Sequence, residues 1–173
     1  MTPQGVIVVL MGVTGSGKST IGHALSDQQH WPFAEGDDYH SEANRQKMHA
    51  GIPLTDEDRA PWIASLHAVL LGWHRAGSSG VLACSALKQS YRDRLAEDIP
   101  GTKLRFVLLE VPRPVLEQRL AQRKDHYMNP ALLESQLATL EVPGDALRVD
   151  ATDAPAAVVA RILRGLDDSD PVH

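Results

Sequence analysis

The residues best suited to chemistry in this chain form segment 12–19, which reads GVTGSGKS. Its glycine, lysine and serine positions fit the pattern G-x-x-x-x-G-K-[ST] at every constrained place. In that pattern the glycines let backbone N–H groups approach phosphate oxygens closely, which a Cβ atom would prevent. Lys18 can reach the β- and γ-phosphates, and the hydroxyl of Ser19 can bind Mg²⁺. The segment therefore predicts a nucleoside-triphosphate site.

The segments on both sides of residues 12–19 have the composition that such a phosphate-binding loop requires. Residues 5–11 form a continuous apolar run rich in β-branched side chains, which is typical of a strand buried on both faces. In residues 20–26, Ile21 and Leu25 are spaced for one face of a helix. When a glycine loop joins a strand to a helix, its backbone N–H groups point toward a bound anion. The alternative is a glycine-rich turn that binds nothing. The loop residues expected to contact the nucleotide are Gly12, Val13, Thr14, Gly15, Ser16, Gly17, Lys18, Ser19 and Thr20.

The composition is that of one globular domain spanning residues 1–173. Hydrophobic residues make up 43% and charged residues 23%, values typical of a chain that buries a full core. The formal net charge of -5 argues against a general nucleic-acid binder, because such proteins are usually basic. No apolar run approaches the ~18 residues of a membrane span. We expect no signal peptide, because residues 6–11 lead straight into the glycine loop. Cys84 is the single cysteine, which suits a reducing compartment, so we expect a cytoplasmic protein. From the net charge and the short apolar runs we expect neither nucleic acid nor membrane as a partner.

Strand-like and helix-like segments alternate along the chain, which predicts an α/β fold with a parallel sheet and right-handed crossovers. The expected strands cover residues 5–11, 31–35, 80–84, 104–111 and 147–150. The expected helices cover about 20–26, 41–48, 61–76, 88–98, 114–124, 129–140 and 153–165, before a frayed tail over about 167–173. Pro61 is expected to open the third helix after a polar connection over 52–59.

Ligands of a parallel sheet bind beyond the carboxyl ends of its strands, so the polar residues after each strand are site candidates. The second strand ends in the acidic turn 35–38. A carboxylate there, such as Asp37, can accept a proton from an attacking hydroxyl, orient it, or hold Mg²⁺ through water. An acidic turn alone is more often a solvated loop. Its position in a phosphate-loop protein favours a functional role.

Basic residues follow the third and fourth strands. Lys88 and Arg92 are four apart, a spacing that could clamp a carboxylate or a phosphate, although a solvated basic face fits equally well. Cys84 is expected to be a small buried apolar residue rather than a nucleophile. Arg119 and Arg123 lead into a polar lid at about 124–131, where an arginine could stabilise charge on a transferring phosphoryl group. Two exposed arginines in a salt-bridged helix are the alternative.

Taken together, these segments resemble the gluconokinase family of small phosphate-loop carbohydrate kinases. The resemblance runs from about residue 6 to about residue 150. The phosphate loop alone is shared by many families, but the block 36–62 together with 84–92 is specific. The matching residues are 11–19, 36–40, 44–48, 51–59, 61–62, 84–88, 91–93, 119–120, 123, 126, 135–136 and 139–141.

The resemblance implies phosphorylation of D-gluconate at its 6-hydroxyl with ATP and Mg²⁺, yielding 6-phospho-D-gluconate. It also implies a P-loop kinase fold like that of shikimate and nucleoside-monophosphate kinases, with five parallel strands in the order 2-3-1-4-5 and helices on both faces, often as a homodimer. The implied catalytic residues are Lys18, Asp37 and Arg123. Arg119 and Arg123 would add contacts to ATP. The implied substrate residues are Asp37, His40, Lys47, Arg59, Lys88 and Arg92, with Ser19 on the metal.

Two residues depart from the family pattern, and two other functions compete. Glu35 stands where related kinases often have Asp, and Asp125 stands where the lid often has Gly. A kinase for shikimate or a nucleoside monophosphate is the nearest rival, and a nucleotide-dependent switch comes from a different class. A GTPase switch would carry an Asn-Lys-x-Asp guanine-binding run, which the sequence lacks. Residues 151–155, after the fifth strand, could wall an adenine ring.

Overall fold

The computed structural model describes residues 5–122 and 130–168. The strands are β1 (Ile7–Met11), β2 (Phe33–Glu35), β3 (Gly80–Ala83), β4 (Leu104–Glu110) and β5 (Leu147–Asp150). The helices are α1 (Lys18–Gln29), α2 (Glu42–His49), α3 (Asp56–Arg75), α4 (Gln89–Leu95), α5 (Arg113–Gln122), α6 (Pro130–Thr139) and α7 (Pro155–Asp168), with a 3₁₀ turn at Gly36–Tyr39. The strands form one parallel sheet in the order β2-β3-β1-β4-β5, which confirms the predicted fold class and strand order.

The central strand β1 is buried along its whole length because helices cover both faces of the sheet. Its side chains alternate between two apolar clusters, with Ile7, Val9 and Met11 on one face and Val8 and Leu10 on the other. Helices α3 and α4 cover the first face, and α1 and α7 cover the second. The continuous apolar run of residues 5–11 thus predicted a doubly covered strand correctly.

A third apolar cluster lies at the carboxyl edge of the sheet, where ligands of such folds bind. It joins Val13 after β1, Leu87 after β3, Leu116 on α5 and Leu133 on α6. Helix α6 is thereby packed against both the segment that follows β1 and the segment that follows β3.

Helix α3 begins at Asp56, five residues before the proline that was predicted to open it. The hydroxyl of Thr55 accepts the Asp58 N–H at 3.1 Å, and the Asp58 carboxylate accepts the Thr55 N–H at 3.0 Å. These two bonds form a capping box, which fixes the helix start. Pro61 lies inside the helix, where its missing N–H leaves one backbone bond unmade. The prediction was wrong because it weighed the proline above the capping residues.

The other elements differ from prediction mainly at their ends. Helix α4 is shorter than expected, with Lys88 as its N-cap, whereas α7 continues through Asp168, into the predicted tail. Strand β5 has the predicted bounds. Residues 123–129, which hold most of the predicted lid, and residues 169–173 lie outside the described part of the chain. No helix of the described residues is both long and apolar enough to cross a membrane.

Candidate active site

The segment between β1 and α1 forms a tight loop that depends on its glycines. Gly12 has φ +148°, and a Cβ atom there would lie 2.8 Å from the Ser16 Oγ and 3.1 Å from the Leu109 carbonyl oxygen. Gly17 caps α1 in the left-handed conformation at φ 95°. Ser16 is buried, and its Oγ has no hydrogen-bond partner among the described residues. An enclosed loop with an unpaired hydroxyl at the N-terminus of a helix fits the phosphates of a nucleoside triphosphate.

Lys18 lies folded across this loop. Its Nζ donates hydrogen bonds to the carbonyl oxygens of Gly12, at 3.0 Å, and Val13, at 3.1 Å. The ammonium is therefore held above the first half of the loop, where it can reach the outer phosphates of a bound nucleotide.

Ser19 and Glu35 form the place where a metal ion fits. The Ser19 hydroxyl donates a short hydrogen bond to Oε2 of Glu35 at the end of β2. Mg²⁺ prefers hard oxygen ligands and keeps several waters, so a hydroxyl and one carboxylate suffice beside phosphate oxygens. Related kinases often have aspartate at position 35, and the longer side chain of Glu35 also reaches Ser19. Among the described residues no group of three or more His, Cys, Asp or Glu forms a separate metal site.

Arg119, on α5, joins the loop to the segment after β5. Its guanidinium donates to the carbonyl oxygens of Gly15, at 3.0 Å, Ala151, at 3.1 Å, and Thr152, at 3.3 Å. A cavity of about 240 Å³ opens beside these contacts. It is lined by Gly15, Ser16, Gly17, Thr20, Ile21, Arg119, Ala151, Asp153 and Pro155. The structure thus brings Arg119 and part of segment 151–155 to the loop, while adenine binding there stays a prediction.

Asp37 lies in the 3₁₀ turn after β2, and contacts with β3 and α3 hold this turn in place. A Cβ atom on Gly36 would lie 2.6 Å from the Ala83 carbonyl oxygen, so the turn sits directly against the end of β3. Nε1 of Trp62 donates to the Gly36 carbonyl oxygen at 2.7 Å. The His40 ring stacks on Trp62 with centroids 4.2 Å apart and planes 13° apart.

His40 was predicted to contact substrate, yet its side chain belongs to the support of this turn. It is 8% exposed, and Nδ1 lies 3.3 Å from the amide nitrogen of Asn44. Burial lowers the pKa of His40, because the charged imidazolium loses its hydration, and Asp37 opposes this shift. The effect of Asp37 on this pKa indicates that the carboxylate lies near the His40 ring.

Arg59 and Lys88 gather around Tyr91. The guanidinium carbon of Arg59 lies 5.6 Å from the ring centroid, and Lys88 Nζ lies 5.5 Å from it. Arg59 also donates to the Tyr91 hydroxyl at 3.0 Å. The carboxylate of Asp56 accepts from that hydroxyl and from Lys88 Nζ, at 3.2 Å. These bonds, the Tyr91 bond first, lower the pKa of Asp56, and the Asp56 bond raises the pKa of Lys88. Lys88 and Tyr91 therefore already bind a carboxylate, that of Asp56.

Lys88 and Arg92 lack the shared helical face on which the two-cation clamp was predicted, while a substrate role for either residue stays a prediction. Arg92 is 2% exposed, and its guanidinium donates to the carbonyl oxygens of Ala86 and Glu141, each at 2.7 Å, and to Oε1 of Gln89 at 3.0 Å. Lys88 precedes the helix in an extended conformation, so the two side chains do not share a helical face. Burial lowers the pKa of Arg92.

The roles predicted for two more site residues, Lys47 and Arg123, gain no support from the structure. Lys47 forms an ion pair of 2.9 Å with Asp58, beside the capping box of α3. Arg123 lies outside the described residues. Cys84, in turn, is buried against the sheet, and burial raises the pKa of its thiol to about 12. Lys18, Asp37 and Glu35 all act on that thiol, which indicates that the three lie around the end of β3.

Sequence reasoning assigned no role to two residues that contact the site. Trp62 supports the Asp37 turn, and Gln136 on α6 accepts the backbone N–H of Thr14 at 2.6 Å. Trp62 reads in the sequence as one more apolar residue of helix α3. Gln136 is 122 positions from Thr14, so no local pattern predicts their contact.

A phosphate loop after the central strand of a sheet ordered 2-3-1-4-5 defines the class of phosphate-loop kinases. A family model described as "AAA domain" matches residues 7–143. A gluconokinase from Gluconobacter oxydans is 44% identical over 167 residues, covering 94% of this chain and 92% of its own length. The chain belongs to the gluconokinase family.

Solved structures agree with this assignment. A gluconokinase from Sinorhizobium meliloti 1021 superimposes with a TM-score of 0.84 at 43% identity, over 94% of this chain and 92% of its own. A shikimate kinase from Aquifex aeolicus superimposes with a TM-score of 0.62 at 17% identity, over 94% of this chain and 97% of its own. The second similarity shows the fold alone.

Proposed function

We propose that this protein transfers the terminal phosphoryl group of ATP to the 6-hydroxyl of D-gluconate, giving 6-phospho-D-gluconate. Its relatives named gluconokinases support the substrate. The structural observation that carries the proposal is the arrangement of one carboxylate and two cations on the acceptor side. Gly36, the residue before Asp37, packs against Cys84, whose N–H donates to the Leu10 carbonyl oxygen at 3.0 Å, just before the phosphate loop. Arg59 and Lys88 share the ring of Tyr91.

This arrangement suits a substrate with a hydroxyl at one end and a carboxylate at the other. Asp37 would accept the hydrogen bond of the 6-hydroxyl, aim its oxygen at the γ-phosphorus, and later take the proton. Arg59 and Lys88 would pair with the carboxylate of gluconate. The pairing of Asp56 with Lys88 and Tyr91 supports the role proposed for Lys88, because its ammonium already binds a carboxylate.

The donor side would be held by the phosphate loop. Backbone N–H groups of the loop and Lys18 would bind the phosphates, and Arg119 lies beside the cavity that would take the nucleoside. Ser19 and Glu35 would hold Mg²⁺, which would neutralise charge on the phosphate oxygens. Lys18 would stabilise the charge that develops on the transferring group. Arg123, which immediately precedes the predicted lid, is proposed to stabilise the same charge.

An ADP-release assay with ATP and Mg²⁺ tests this function directly. We expect turnover with gluconate and much less with glucose, because glucose has no carboxylate to make charge-assisted bonds with Arg59 and Lys88. Other aldonates, shikimate and nucleoside monophosphates belong in the same series. Equal rates with glucose would remove the carboxylate argument, and preference for shikimate or a nucleoside monophosphate would replace the substrate. ATP hydrolysis that no acceptor stimulates would favour the switch.

We also propose a homodimer in the cytoplasm, on the strength of the family resemblance and of a single, buried cysteine. Sedimentation equilibrium at micromolar protein measures the first, and cell fractionation measures the second. A monomer at all concentrations would contradict the dimer.

A further inference from the structure

Helix α6 touches the phosphate loop through one polar side chain. The backbone N–H of Thr14 donates to Oε1 of Gln136 at 2.6 Å. A backbone N–H can only donate, so the group facing Thr14 must be the amide oxygen, and the amide nitrogen must face elsewhere. Within the described residues, Nε2 of Gln136 has no hydrogen-bond acceptor. The two N–H groups of Nε2 are therefore unused, and they belong to the same side-chain amide that contacts the loop.

The contact falls on the part of the loop that Lys18 covers. Lys18 Nζ binds the carbonyl oxygens of Gly12 and Val13, the two residues immediately before Thr14. The lysine of such a loop reaches the β- and γ-phosphates. The ammonium of Lys18 and the amide of Gln136 thus engage consecutive residues, 12–14, at the place where the outer phosphates bind.

The position of Gln136 is held on both sides of the site. Leu133, one turn earlier on α6, packs with Val13 of the loop and with Leu87 after β3. Just beyond α6, the Glu141 N–H donates to the Leu87 carbonyl oxygen at 2.8 Å. A side chain anchored in this way is fixed before ligand arrives, which is the condition for an effective contact to developing charge.

We propose that Gln136 contacts the transferable phosphoryl group of the nucleotide. Its Oε1 holds the Thr14 N–H, and its Nε2 donates a hydrogen bond to an oxygen of the terminal phosphate. A donor to a phosphate oxygen makes a charge-assisted bond, stronger than a neutral one. The proposal rests on the proposed use of ATP. It predicts that Gln136 distinguishes a nucleoside triphosphate from the diphosphate, which lacks that group.

The test is calorimetric titration of wild type and of Gln136→Glu with ADP and with a non-hydrolysable ATP analogue, both with Mg²⁺. Glutamate keeps the shape and an oxygen for Thr14, but replaces the donor by a negative oxygen. We expect the Kd of the ATP analogue to rise about 10-fold or more, while the Kd of ADP changes by less than about 3-fold. With gluconate, kcat should fall about 10²-fold.

The matched control is Gln28→Glu, which makes the same charge change on an exposed residue near the other end of α1. Both Kd values should stay at their wild-type levels there. A second variant, Gln136→Met, removes the oxygen and the nitrogen together and keeps the volume. It should again weaken the ATP analogue more than ADP.

An equal loss for both nucleotides in Gln136→Met, or an unchanged ratio of their Kd values in Gln136→Glu, would overturn the proposal. Gln136 would then only tie α6 to the loop. The titrations contain no gluconate, so failure to phosphorylate gluconate would not affect them. Wild-type protein that binds neither nucleotide would contradict the proposed use of ATP and this inference together.

Discussion

The indole Nε1 of Trp62 donates to the carbonyl oxygen of Gly36 at 2.7 Å, one residue before Asp37. A helix of the core thereby fixes the turn that carries the proposed catalytic carboxylate. Because Trp62 also stacks on His40, its ring secures both ends of the turn Gly36–Tyr39. We therefore expect Trp62 to act on the proposed reaction through Asp37 rather than by touching substrate.

Trp62→Phe removes this hydrogen bond and keeps an aromatic ring. We expect the free energy of unfolding to fall by about 1–2 kcal/mol, since a buried carbonyl loses its partner. We also expect kcat to fall about 10-fold with little change in the KM for ATP, because a displaced Asp37 aims the hydroxyl poorly. Urea denaturation and steady-state kinetics measure the two effects. Trp73→Phe, at a half-buried tryptophan on the same helix, is the control, and equal kcat losses in both variants would contradict the positioning role.

Asp37→Asn keeps the shape of the side chain but removes its charge and basicity. We expect kcat to fall about 10²–10⁴-fold, the usual contribution of a general base, with little change in ATP affinity. Asp38→Asn, at the exposed neighbouring residue, should remain near wild type. A rise in the KM for gluconate at constant kcat would show that Asp37 only holds the sugar. If neither constant moved, Asp37 would be a turn residue.

Lys88→Met tests the proposed carboxylate site. A hydrogen bond to a charged group contributes about 1.5–3 kcal/mol, so the KM for gluconate should rise about 10–100-fold while the KM for ATP stays level. The weak activity on glucose should not change. Lys103→Met removes a charge from an exposed lysine and serves as the control. A gluconate KM within about 2-fold of wild type would exclude Lys88 from the site.

Arg92→Met should act on stability and not on substrate choice. The substitution leaves the buried carbonyl oxygen of Ala86 and the part-buried one of Glu141 without their donors. We expect a loss of about 2–4 kcal/mol in the free energy of unfolding, with the gluconate KM of the remaining folded protein near wild type. The exposed Arg94, changed to Met, should cost far less. A stable Arg92→Met protein with a greatly raised gluconate KM would restore Arg92 to the substrate site.

The lowered pKa of His40 predicts a loss of stability in mild acid. Below its ordinary pKa of 6.5, the imidazole takes up a proton in the unfolded chain that it refuses in the fold. The unfolded state then binds more protons, so the stabilising effect is present above pH 6.5 and is lost as the pH falls below it. Urea midpoints at pH 7.5 and 5.5 should differ more for wild type than for His40→Gln. His49→Gln, at an exposed histidine, should keep the wild-type difference, and the same difference in all three proteins would refute the prediction.

The fold was largely predictable because its signals are local. The apolar run of residues 5–11, the glycine pattern of 12–19 and the alternation of elements fix a parallel sheet with a phosphate loop. The start of α3 was also encoded locally, in Thr55 and Asp58, but the proline pattern misled the prediction. The capping box of Thr55 and Asp58, and not Pro61 at the sixth position of the helix, determines where α3 begins.

The site was harder to predict because its contacts join distant segments. Lys88 and Arg92 have helical spacing in the sequence, but Lys88 lies at the cap, and Arg92 is drawn inward by the carbonyl oxygen of Glu141. The partner of Lys88 is Asp56, 32 positions away. Such pairings follow from how α3, α4 and α6 pack, which no spacing rule contains.

The burial of Cys84 has a practical consequence for studying movement in this protein. Cys84 is the single thiol of the chain, and with a pKa of about 12 it carries almost no thiolate at neutral pH. Maleimides and other thiol reagents should therefore leave the native protein unlabelled. A cysteine introduced at the exposed Gln122, where the described part of α5 ends, would then be the one position to take a probe. A spin label or dye there would report on the neighbouring segment during turnover, without any change to the residues of the site.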